Sequence, residues 1–129
     1  MSSRPLLILV AGPYRSGTGD DSARLAANVD VMNRAALEVF HRGHVPITGE
    51  AVALPLIELA GSKRVGDEVF DAIFHPVAHR LLDRCDGVLR VGGASAGADE
   101  MARRAATDGK PVFRSVDELP APVAEPCPA

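Results

Sequence analysis

The run Leu6-Leu7-Ile8-Leu9-Val10-Ala11, closed by Gly12-Pro13, constrains the fold more than any other stretch of the chain. An apolar segment of strand length with no polar face reads as a central parallel strand covered on both sides. Such a strand needs crossover connections, and the chain supplies helical patterns in alternation with further strands. Leu25, Val29, Met32, Ala36 and Val39 recur at helical spacing, and Gly43 ends that helix. Val45-Pro46-Ile47 reads as a short second strand. Residues 51–60 are apolar on nearly every side, which points to burial, including burial between subunits. Val69, Ile73, Val77 and Leu81 mark another helix, widened by Phe70 and Phe74 and bent by Pro76, ending near Asp86-Gly87. Residues 88–91 give a third strand, 98–108 a helix, and Gly109-Lys110-Pro111-Val112-Phe113 a turn into a fourth strand. Right-handed crossovers then predict a flavodoxin-like or Rossmann-like doubly wound α/β fold, a parallel sheet of about four to five strands with helices on both faces. The loops after strands one and three open on the same carboxyl edge, where ligands bind in such folds.

With 129 residues, 47% of them hydrophobic, one compact domain is expected over residues 1–119, followed by a disordered Pro/Ala-rich tail over 120–129. A net charge of −3 gives no broad basic field, which argues against polymeric nucleic acid as a partner. Residues 5–12 are too few to span a membrane and carry no signal-peptide cleavage pattern behind them. Cys85 and Cys127 make no disulfide framework, since Cys127 lies in the tail; both read as free thiols, as in a soluble cytoplasmic protein.

Two loops carry the residues suited to chemistry. Val88-Leu89-Arg90-Val91-Gly92-Gly93-Ala94-Ser95-Ala96-Gly97-Ala98-Asp99-Glu100 passes from a strand through small residues into a helix. Unpaired N–H groups and the partial positive charge at such a helix start favour phosphate or carboxylate. Gly93-Ala94-Ser95-Ala96-Gly97 fits the G-x-S-x-G of a serine-hydrolase elbow, but His41, His44, His75 and His79 all precede Ser95, against the chain order of that triad. The Walker A reading fails because Ala98 and Asp99 follow Gly97 in place of Lys and Ser/Thr. Ser95 is thus a phosphate donor or helix cap. Glu100, in the first turn, either complements the helix dipole or acts on a ligand.

The other loop, Gly12-Pro13-Tyr14-Arg15-Ser16-Gly17-Thr18-Gly19-Asp20-Asp21, offers a ring to stack on a base or sugar and a guanidinium to fork onto phosphate. Its alternative reading is a solvated loop whose Asp21 or Ser22 caps the next helix. His75 and His79 have the i, i+4 spacing of zinc ligands, but the Glu of H-E-x-x-H is missing and Pro76 intervenes, so no metal is expected. His41 and His44, around Gly43, read as cations at a helix C-terminus. A phosphate-handling enzyme using His79 or Asp20 is a weaker option.

Taken together, Leu9-Val10-Ala11-Gly12-Pro13-Tyr14 and Ser95-Ala96-Gly97-Ala98-Asp99-Glu100 resemble the nucleoside 2-deoxyribosyltransferase-like superfamily, and within it the DUF4406 group. The resemblance extends through Cys85-Asp86-Gly87 and Gly109-Lys110-Pro111-Val112. It implies a small nucleoside or nucleotide ligand, no cofactor, and Glu100 as a nucleophile on the anomeric carbon, cleaving an N-glycosidic bond by hydrolysis or transfer. It also implies that Arg15 and Ser95 hold a 5′-phosphate, with Gly12, Pro13, Tyr14, Gly97 and Asp99 completing the substrate site. A homodimer closing the active site with a neighbour's residues is implied as well. Two acids of the family pattern are replaced, one by Ala94 and one by Val77, Ala78 and His79. Their loss favours the alternative, a non-catalytic nucleotide or nucleotide-sugar binding module.

Overall fold

The computed structural model describes residues 4–121. Its elements are β1 (Leu7–Ala11), α1 (Ser22–His41), β2 (Val45–Thr48), α2 (Gly49–Leu59), α3 (Glu68–Arg84), β3 (Gly87–Arg90), α4 (Ala96–Thr107) and β4 (Val112–Phe113), followed by a 3-10 turn, Val116–Glu118. The four strands form one all-parallel sheet in the order β2-β1-β3-β4. This is the doubly wound α/β architecture of the flavodoxin-like and Rossmann-like folds.

β1 lies in the interior of the sheet, and its side chains alternate between two cores as a strand demands. Ile8 and Val10 pack with Met32, Ala35 and Val39 of α1 and with Leu119. Leu9 and Ala11 pack with Leu82 of α3 and with Ala98, Met101 and Ala105 of α4. Burying each large aliphatic side chain contributes about 1.5–3 kcal/mol, which is why a run polar on neither side becomes the middle of the fold. β2 is an edge strand, and Pro46 is tolerated there because an edge leaves its missing N–H unneeded. Asp86 ties β1 to β3: its carboxylate accepts the Leu7 N–H at 2.8 Å and the Arg4 guanidinium at 3.0 and 3.2 Å.

Local details refine the sequence reading. α2 is buried on one side only: Ala53 and Ile57 pack with Phe70 of α3, whereas Leu56 and Leu59 stand exposed, Leu59 at 86%. His44 is no solvated helix-end cation. It is buried, its Nδ1 accepts the Leu6 N–H at 3.0 Å, and its Nε2 donates to the Pro120 carbonyl at 2.6 Å, which assigns the proton to Nε2. That bond, with Leu119 buried, ties Pro120 to the body of the fold; residues 122–129 of the expected tail lie outside the described residues. The third strand begins at Gly87, and α3 continues through Pro76 to Arg84.

The strand order sets the switch point. From β1 the chain crosses to β2, from β3 it crosses the other way to β4, so the loops after β1 and β3 separate and leave a crevice between them. Glycines bring the two strand ends together. A Cβ on Gly12 would lie 2.8 Å from the Val91 carbonyl oxygen, and one on Gly92, at φ +78°, would lie 2.8 Å from Pro13 Cδ.

Candidate functional site

A cavity of about 210 Å³ occupies this crevice, floored by Leu9, Val10 and Ala11 of β1 and bounded by the first loop, α2, α3 and the start of α4. One wall is aromatic. Tyr14, Phe74 and Phe70 form a stacked group, with centroids 5.6 Å apart for Tyr14–Phe74 and 4.9 Å for Phe70–Phe74. Burial, followed by the negative charges of Glu50 and Asp20, raises the Tyr14 pKa, so its phenol keeps its proton.

The first loop is a built turn. The Thr18 hydroxyl donates to the Arg15 carbonyl at 2.6 Å and accepts the Asp20 N–H at 3.0 Å, while Asn28 of α1 donates to the Tyr14 carbonyl at 2.8 Å. Gly17, Gly19 and Asp20 take positive φ, and Asp20 is the one non-glycine residue to do so among the described residues. Asp20 thereby forks onto Arg15, with Nε–Oδ1 and Nη2–Oδ2 both 2.9 Å. This hydrogen-bonded pair raises the Arg15 pKa and lowers that of Asp20. The guanidinium also lies 5.8 Å from the Phe70 ring centroid. The following residue, Asp21, caps α1 through Arg24 N–H, as the alternative reading of this loop expects.

Ser95 caps α4. Its Oγ accepts the Ala98 N–H at 3.1 Å, leaving the hydroxyl proton to donate elsewhere, and the residue is buried on the cavity wall. The turn before it is braced by Arg90, whose side chain is 8% exposed. Arg90 donates to the carbonyls of Val91 and Gly93 and pairs with Asp99 at 3.0 Å. Asp99 is thus partnered to the scaffold and does not line the cavity.

Of the residues singled out in the sequence, the cavity gathers Gly12, Tyr14, Arg15, Ser95 and Gly97, and leaves out Pro13, Asp99 and Glu100. Pro13 borders a shallow depression beside Gly93 and Ser95. α4 presents Gly97, Ala98 and Met101 to the cavity. Glu100 is instead placed toward α3, where its Oε1 lies 3.4 Å from His79 Nε2, too poorly aligned for a hydrogen bond. His75 lines the cavity. The two histidines therefore serve different surroundings, and no group of three His, Cys, Asp or Glu that could hold a metal occurs among the described residues.

The carboxylate that the cavity does contain is Glu50, in the first turn of α2. It is 8% exposed, and no side chain among the described residues hydrogen-bonds to it. Burial raises its pKa to about 7, offset in part by its own backbone N–H. Nothing in the sequence singles it out, although it follows a strand and opens a helix as Glu100 does. Thr48, the last residue of β2, caps α2 directly by accepting the Ala51 N–H at 3.1 Å, so no loop separates strand from helix and the first turn falls at the crevice.

Comparison of the chain with models of known protein families finds no match, and comparison with curated proteins finds none either.

Proposed function

We propose that this cavity binds a nucleoside or a nucleoside 5′-monophosphate. The observation that carries the reading is the pairing, within one crevice, of a stacked aromatic wall with the capped N-terminus of α4. Tyr14 and Phe74 suit the flat face of a base, while the Ser95 hydroxyl and the first N–H groups of α4 suit sugar hydroxyls or phosphate. Arg15 stands at the rim, where a phosphate would share or displace Asp20.

Within this reading the non-catalytic binding module is favoured over N-glycosidic cleavage by Glu100. A nucleophile must reach the anomeric carbon, and Met101, not Glu100, faces the cavity from α4. Calorimetry with a panel of nucleosides and 5′-monophosphates, with chromatography of the same mixtures for free base, tests both statements. Binding without base release is the expected result. Binding of no panel member overturns the proposal, and base release abolished by Glu100→Gln overturns the non-catalytic reading.

For assembly we propose a homodimer through α2, since Leu56 and Leu59 stand exposed on a helix whose other side packs on α3. A cytoplasmic setting suits the free, buried Cys85 thiol. No described helix is long and apolar enough to cross a membrane.

A further inference from the structure

We infer that Glu50 selects the base, its carboxyl pairing with the amidine edge of an adenine- or cytosine-type ring, where a ring nitrogen lies next to an exocyclic amino group. The inference rests on the reading of the cavity as a nucleoside site and names the class of base that site takes.

Glu50 is more than nine-tenths buried, lines the cavity, and is bound by no other side chain among the described residues. Complementing the helix dipole does not require burial; this acid is withdrawn from water and lines the cavity. A carboxylic acid presents one O–H donor beside one C=O acceptor, the complement of a ring nitrogen beside an amino group. Ionised, it presents two acceptors, which match the N–H and amino group of guanine instead. The balance between the forms lies close to neutrality because burial raises the Glu50 pKa to about 7.

The charged and titratable surroundings are few. Tyr14 and Arg15 of the first loop and His75 of α3 share the cavity with Glu50, with Asp20 held on Arg15. Asp71 of α3 acts on Arg15, and His79 lies outside the cavity lining, 3.4 Å from Glu100. β1 and β2 contribute no titratable side chain, and α4 contributes none to the cavity. Arg15 is already paired with a carboxylate, so it does not serve as a counter-ion for Glu50.

The test is calorimetric titration of the chain with adenosine, cytidine, guanosine and uridine at about pH 6 and about pH 8. Protonated Glu50 predominates at the lower pH, so adenosine and cytidine should bind about tenfold more weakly at the higher one, and guanosine should change in the opposite sense. Glu50→Gln keeps a donor beside an acceptor and should preserve adenosine binding while abolishing its pH dependence. Glu50→Ala should weaken adenosine by about fivefold to a hundredfold at the lower pH. Nucleosides that bind with no pH dependence, or a pH dependence that survives in Glu50→Gln, overturn the inference and leave the site reading standing. Failure of all four nucleosides, and of their 5′-monophosphates titrated in the same way, to bind overturns the site reading itself.

Discussion

At the scale of single residues, Glu50 carries a stability consequence independent of any ligand. Its folded pKa, about 7, lies above the unfolded value of 4.5, so the folded state holds the proton more tightly between those limits. The stabilisation it gives is present below the unfolded value and is lost as the pH rises through about 7. Integrated over that window the effect is about 3 kcal/mol, and Glu50→Gln should be more stable than the natural chain above neutrality and show a flatter pH profile. Urea denaturation on either side of neutrality reads this out, and equal pH profiles for the two chains would contradict the burial argument. A second residue-scale expectation concerns Arg15, whose guanidinium is occupied by Asp20. Asp20→Asn should release it and tighten 5′-monophosphates more than nucleosides, whereas Arg15→Ala should weaken monophosphates selectively. Equal effects on both ligand classes would assign Arg15 to structure. The acid that matters was hard to read from sequence because both Glu50 and Glu100 open helices after strands. What separates them is helix rotation: one residue along α4 turns a side chain by roughly 100°, which puts Met101 in the cavity and Glu100 against His79.

At the scale of elements, the strand-to-helix junctions hold the crevice open in its shape. Gly12 permits the first loop to touch the end of β3, and Gly12→Ala would drive a methyl group to 2.8 Å from the Val91 carbonyl. That substitution should cost about 1–3 kcal/mol and weaken ligand binding, since the displaced loop carries Tyr14 and Arg15. Arg90→Met should also lower stability by about 1–3 kcal/mol, because the Val91 and Gly93 carbonyls lose their charged donor. Chemical denaturation of both variants provides the check; unchanged midpoints would mean that the turn after β3 needs neither. The strands and helices themselves were legible, since the apolar run of β1, the spacing in α1 and the Gly-Pro and Gly-Gly breaks mark them in sequence. The two-sided apolar look of α2 does not reveal which side its own chain covers; α3 takes Ala53 and Ile57 and leaves Leu56 and Leu59 outside.

At the scale of the whole molecule, strand order turns a list of loops into a site. The order β2-β1-β3-β4 puts the ends of β1, β2 and β3 side by side, so Tyr14, Glu50 and Ser95, far apart in sequence, line one cavity. The parallel sheet and its carboxyl-edge crevice were legible from βα alternation; the participation of α2 was not, because it depends on β2 feeding its helix without a loop. The exposed leucines of α2 give the assembly prediction: the chain should sediment as a dimer at micromolar concentration, and Leu59→Arg should shift it to monomer. A natural chain that sediments as a monomer would contradict it. The central claim, that the crevice is a nucleoside site with Glu50 as its carboxyl, is tested most directly by mapping amide NMR shift changes while adenosine is titrated in near pH 6. Saturable changes confined to residues 12–16, 49–50, 70–78 and 95–101 are expected. Changes centred instead on the depression at Glu38, His41 and Arg114, on the surface around Arg103 and Asp108, or nowhere on the chain, would contradict it.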